Sequence, residues 1–127
     1  MHHDHFDLKL LGQMQDKSVQ VLLADFKSGS LVEDVKALGF TNVTTLSHLE
    51  SKTLKGGLQA TVVLDVSFKE DSGLLLCTPE RGGQNGHRFL HLNDCNTRHA
   101  ELPKQVDLLA CQFSGAQWYP SCYDGRA

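Results

Sequence analysis

Residues 19–46 read VQVLLADFKSGSLVEDVKALGFTNVTTL, and this stretch decides the fold class. Val19 to Ala24 is a short apolar run interrupted only by Gln20, the pattern of a buried strand of the parallel type. Ser30 followed three residues later by Glu33 has the form of a capping box. Leu31, Val35 and Leu38 then recur at helical spacing, and Gly39 closes the helix. Asn42 to Leu46 is rich in β-branched residues and predicts a second strand. Strand, helix and strand in that order make an α/β unit.

Upstream, Phe6, Leu10, Leu11 and Met14 predict a helical stripe that ends between Gly12 and Lys17. Downstream the period changes to two. Thr53 to Leu54 and Leu58 to Leu64 predict a hairpin through Gly56-Gly57. Gly73 to Thr78 and His87 to Leu92 flank the polar stretch from Pro79 to Gly86, which reads as a hairpin loop; no helix follows it, so it is not a phosphate cradle. Val106 to Cys111 is a last apolar strand. The expectation is an α/β fold whose mixed sheet carries antiparallel hairpins, in one domain over 1–127, without repeats or low-complexity segments.

The chain has 127 residues, 40% of them hydrophobic and 21% charged, enough for one core. A net charge of −3 argues against a nucleic-acid or anionic-membrane partner, since both select a basic excess. No apolar run approaches the roughly 18 residues that read as a membrane span, and the start lacks a signal-peptide layout, so a cytoplasmic location is expected. Cys77, Cys95, Cys111 and Cys122 contain no C-x-x-C pair and are expected to be small buried hydrophobes. A Rieske cluster needs two Cys and two His. The spacing here offers no such set.

Two places carry candidate chemistry. The chain opens with Met1-His2-His3-Asp4-His5, and imidazole with carboxylate is a ligand set for zinc or non-haem iron. An affinity-tag remnant is an alternative, as is adventitious copper or nickel capture by the terminal amine and His3. The predicted strand from His87 to Leu92 runs into Asn93-Asp94-Cys95, and strand ends are where ligands converge in α/β folds. Asn-Asp is also ordinary turn chemistry. His48 reads as a solvated turn residue, His87 and His91 as a surface pair on one side of a strand, and His99 as part of a charged loop.

His2-His3-Asp4-His5 resembles the later part of the H-x-H-x-D-H signature of the metallo-β-lactamase superfamily. Together with Glu70-Asp71-Ser72, Asn93-Asp94-Cys95 and Phe113-Ser114-Gly115-Ala116, it looks like the metallo-β-lactamase-like domain of the CMP-N-acetylneuraminate hydroxylase family and its bacterial relatives, over nearly the whole chain. That resemblance implies a partial αββα fold, a divalent zinc or iron site built by His2, Asp4, His5 and Asp94, and Asp4 as the catalytic carboxylate. Ser114, Trp118 and Tyr119 would face a small-molecule substrate, the two aromatics as a stacking wall. It also implies a metal-dependent hydrolase acting on a small anionic or sugar-nucleotide substrate, with a Rieske or other redox domain elsewhere. The alternative is a degenerate, non-catalytic metal- or nucleotide-binding module serving that redox domain. The signature's first His is absent, and no His lies between His48 and His87, where Ser67 or Phe68 takes the place of an expected ligand. The site is therefore expected to be incomplete and the chain weak or inactive by itself, as a truncated piece rather than a degenerate domain.

Overall fold

The computed structural model describes residues 6–65, 70–92, 95 and 102–111. The α/β expectation holds: α1 (Leu8–Gly12), β1 (Val21–Ala24), α2 (Ser30–Ala37) and β2 (Val43–Leu46) are followed by five strands. These are β3 (Ser51–Thr53), β4 (Gln59–Leu64), β5 (Ser72–Cys77), β6 (Arg88–His91) and β7 (Leu108–Ala110).

The decisive stretch forms a βαβ unit. Parallel strands need a crossover, and α2 supplies it between β1 and β2, which pair in parallel with Val21 opposite Val43 and Ala24 opposite Leu46. Leu31, Val35 and Phe40 bury one side of this pair together with Phe6, Leu11 and Val21. The expected capping box is not formed. Gly29, at φ 66°, occupies the cap position of α2 without a side-chain hydrogen bond, and Ser30 is already helical.

The first helix is shorter than its stripe. Asp7 caps α1 by accepting from the backbone N–H groups of Lys9 and Leu10 at 2.9 and 3.0 Å. Lys17 closes the other end, donating through Nζ to the carbonyls of Leu11 and Gly12 at 2.8 and 3.2 Å, 4.4 Å from the Phe40 ring centroid. Five residues bury only part of a stripe, so Phe6 and Leu11 pack inward whereas Leu10 and Met14 stay exposed.

The remaining strands form a separate sheet in the order β3-β4-β5-β6-β7, antiparallel except for the parallel β6-β7 edge. Its two faces have different fates. Val62 and Leu64 meet Ala24, Leu46 and Leu22 of the βαβ unit. Val63, Leu75 and Leu90 face the other way and are covered by Leu92, Cys95 and Val106. Burial on both faces explains why β4 reads as a continuous apolar run. The structure corrects the αββα expectation: among the described residues the strands form two sheets, the larger of them mixed, and both helices lie against the β1-β2 pair. No described helix is long and apolar enough to cross a membrane.

Candidate functional site

The residues to which the sequence assigned metal binding, His2, Asp4, His5 and Asp94, lie outside the described residues, as do Ser114, Trp118 and Tyr119. The described chemistry concentrates at the two ends of the five-stranded sheet. Six residues separate Gln59 from Asp65, about 20 Å at the rise of an extended strand.

At the Asp65 end, the pairing of β4 with β5 continues one step beyond Leu64 and Ser72, the Asp65 N–H donating to the Asp71 carbonyl at 3.0 Å. Both aspartates are buried. Cys95 packs beside them with its thiol 3.9 Å from the Val63 carbonyl oxygen. Burial pushes this thiol up to about 11, the negative charge of Asp65 adds to the effect, and a hydrogen bond from the Gly73 backbone partly opposes it. Without a metal beside it, this thiol stays protonated near pH 7. His48 is not the solvated turn residue its neighbours suggest: its Nδ1 accepts from the Leu64 N–H at 3.0 Å, and its Nε2 is buried without a partner among the described residues.

At the opposite end, the sheet face changes from apolar to polar. Ser51, Thr61 and Leu75 stand opposite one another across three strands, and Gln59, Cys77 and Arg88 form the next row on the same face. These rows floor an open cavity of about 620 Å³ whose rim includes Leu49, Leu102, Pro103 and Lys104. The Ser51 and Thr61 hydroxyls lie 2.7 Å apart in hydrogen-bond contact. Arg88 fastens the rim: Nη1 donates to the Lys104 carbonyl at 2.7 Å, and its backbone N–H donates to the Asp107 carboxylate at 2.6 Å. The sequence reading missed this site. Its signal was the period-two recurrence of Ser51, Thr53, Gln59, Thr61 and Arg88, polar residues on a face that is apolar one row away.

His87 and His91 are both exposed, as expected of a surface pair, and the His91 ring lies 6.4 Å from that of Phe89. Among the described residues, no three His, Cys, Asp or Glu side chains are grouped to hold a metal ion. Of the cysteines expected to be buried, Cys95 is buried, Cys77 is half-buried and Cys111 is exposed, and all three are free. Cys77 lies four residues along β5 from Gly73, the neighbour of Cys95, about 13 Å at strand rise.

No protein-family model and no solved structure matches this chain. Curated proteins do. It is 29% identical over 136 residues to a protein of Mycolicibacterium smegmatis named as a Rieske 2Fe-2S iron–sulfur protein, covering 98% of this chain and 25% of that one. Two Mycobacterium tuberculosis proteins of the same naming are 27% identical over 135 residues, again across 98% of this chain and 25% of theirs. The chain thus spans about a quarter of the length of the curated relatives it matches.

This likeness corrects the superfamily reading. The metallo-β-lactamase assignment rested on short phrases rich in His and Asp, whereas similarity along almost the whole chain points to Rieske-type iron–sulfur proteins. Metal-dependent hydrolysis falls with it, and so does a hydrolytic zinc. Iron remains the metal the relatives imply. A 2Fe-2S cluster of the Rieske type takes two Cys and two His, and the described residues do not fit it, because among them no such group of His and Cys side chains is brought together.

Proposed function

We propose that this chain is a module of a Rieske-type electron-transfer protein that does not hold the cluster and instead partners the domain that does. The observation that carries this reading is the pairing of two facts. The chain aligns along 98% of its length with proteins named for a 2Fe-2S cluster, yet its described cysteines and histidines are scattered over both ends of the sheet. When bound in its own domain, such a cluster supplies one-electron transfer. The role of this module is to present a binding surface beside it. Free thiols at Cys77, Cys95 and Cys111 suit a reducing compartment, which supports a cytoplasmic location. His2, Asp4, His5 and Asp94 keep the ligand types of an iron site of the module's own, and Ser114, Trp118 and Tyr119 those of a ligand wall.

Two measurements test the reading. Anaerobic incubation of the purified chain with ferrous iron and sulfide should yield no stoichiometric 2Fe-2S chromophore. Titration against the purified cluster-bearing domain of the Mycolicibacterium smegmatis relative should show one-to-one binding by calorimetry. A cluster assembled on this chain, or no association with that domain, would overturn the proposal.

A further inference from the structure

We propose that the cavity at the Gln59 end of the sheet is a binding site for a small organic anion carrying a phosphate or carboxylate group. The inference does not depend on the redox-partner reading, because it rests on the cavity's own charge and chemistry.

The chain as a whole is acidic, with a net charge of −3. The cavity is the reverse: Arg88 and Lys104 line it, and among the described lining residues there is no carboxylate, the Asp107 carboxylate being engaged by the Arg88 backbone N–H. A concave surface with one sign of charge and low-dielectric walls focuses potential and draws in counter-ions. Here the walls are supplied by Leu75 on the floor and by Leu102 and Pro103 on the rim.

Arg88 is held rather than loose. Arg88 sits in β6 within the sheet ladder, opposite Cys77. Its Nη1 bond to the Lys104 carbonyl ties the rim segment over the floor, and the Asp107 N–H returns a bond to the Arg88 carbonyl at 2.9 Å. A guanidinium has five N–H donors in a rigid fork that matches the two oxygens of a carboxylate or phosphate. One bond to a carbonyl leaves most of that fork for a ligand. Lys104, as a compact and mobile charge, meets the same anionic group from the rim.

The neutral groups specify the rest of the ligand. The Gln59 amide offers both a donor and an acceptor, and the Ser51 and Thr61 hydroxyls, though bonded to each other at 2.7 Å, keep acceptor capacity. These suit a body bearing hydroxyl or amide groups. The volume of about 620 Å³ lies within the usual range of small-molecule sites, roughly 300–1,000 Å³. On the face that a few residues on carries the core cluster of Val63, Leu75 and Leu90, Cys77 packs against that cluster, whereas Ser51 and Gln59 are exposed polar groups available to a ligand.

The test is amide chemical-shift mapping on the full chain at constant ionic strength, with chloride as the balancing ion. Inorganic phosphate, glycerol 3-phosphate and acetate are titrated in separate arms. Saturable shifts should centre on Ser51, Gln59, Thr61 and Arg88, and a response to the phosphates or to acetate assigns which anion the fork accepts. Lys104→Ala, at an exposed position, should weaken binding about tenfold while leaving the melting temperature unchanged, and Gln59→Leu should weaken glycerol 3-phosphate more than inorganic phosphate. Lys36→Ala, on the distant helix α2, should bind as the parent does. Absence of saturable shifts at these strands in all three arms, or equal loss from Lys104→Ala and Lys36→Ala, would overturn the proposal.

Discussion

The imidazole of His48 clamps the end of the central strand: its Nδ1 accepts from the backbone N–H of Leu64 at 3.0 Å, across sixteen residues of sequence. Because Nδ1 accepts, the ring proton sits on Nε2, which is buried and, among the described residues, unpartnered. One ring nitrogen thus stabilises the strand end and the other costs desolvation. Removing the acceptor leaves the Leu64 N–H without a partner, a loss of about 1–3 kcal/mol. His48→Ala should lower unfolding free energy by that amount in a denaturant titration and speed hydrogen exchange at Leu64. His48→Asn, whose side-chain oxygen can take the place of Nδ1 without the buried ring N–H, should recover most of the loss. Equal destabilisation by both variants would show that the hydrogen bond is not what matters.

The two helices differ in how their first turns are satisfied, and the capping box that the sequence suggests at Ser30 is not the cap that forms. Asp7 accepts from two backbone N–H groups of α1, whereas Ser30 makes no cap bond and Gly29 takes the cap position of α2. Loss of a working cap costs about 1 kcal/mol. Asp7→Ala should show that loss, and Ser30→Ala should stay within about 0.5 kcal/mol of the parent, as surface changes do. Thermal unfolding of the two variants side by side decides between them.

What the sequence made legible follows from the range of the forces involved. Val21–Ala24, α2 and Val43–Leu46 are readable because each buries a face whose spacing is local. The hairpins are readable because Gly56-Gly57 and the segment from Pro79 to Gly86 break the pattern between them. The separation into two sheets is not readable, since which strand pairs with which depends on contacts far apart in sequence. The cavity escaped for the same reason: Arg88 and Lys104 are sixteen residues apart and meet only through a carbonyl bond. His2, Asp4, His5 and Asp94 drew the family assignment astray because metal-ligand chemistry is shared by unrelated folds. Similarity along the whole chain is harder to reach by chance than four residues of suitable type.

The loop between β5 and β6 contains glycines with unequal roles. Arg81 and Gln84 exchange both backbone hydrogen bonds around Gly82 and Gly83, at φ 58° and 76°, a tight turn that needs the left-handed conformation. A side chain at Gly82 would meet nothing within 4 Å, so Gly82→Ala should cost only the conformational strain, about 1–2 kcal/mol. At Gly86 a Cβ would run into the Thr78 carbonyl oxygen and the backbone behind it. That oxygen cannot move without displacing the Thr78 N–H bond to the His87 carbonyl. Gly86→Ala should therefore be the more damaging of the two, on the order of 3 kcal/mol by the cost of overpacking. Melting temperatures in the order parent, Gly82→Ala, Gly86→Ala are expected; the reverse order for the two variants would refute the contact.

The buried thiol makes an alkaline prediction with a definite sign. Cys95 titrates at about 11 in the folded chain, held up first by burial and then by Asp65, against about 9 for the free thiol. A group whose folded value is raised favours the folded state fully below the unfolded value and loses that advantage as pH rises through the folded one. Stability should thus be level with respect to Cys95 below about pH 9 and decline between about 9 and 11. Cys95→Ala should remove this part of the decline, though it lowers stability at pH 7 by losing buried volume in the cluster of Val63, Leu75 and Leu90. The comparison is of slopes, measured by denaturant unfolding of parent and variant from pH 8 to 11. The same burial protects the thiol: Cys111, which is exposed, should react with a thiol reagent under native conditions well before Cys95. Rapid native labelling of Cys95, or a variant whose alkaline slope matches the parent's, would show that this thiol is neither buried nor raised.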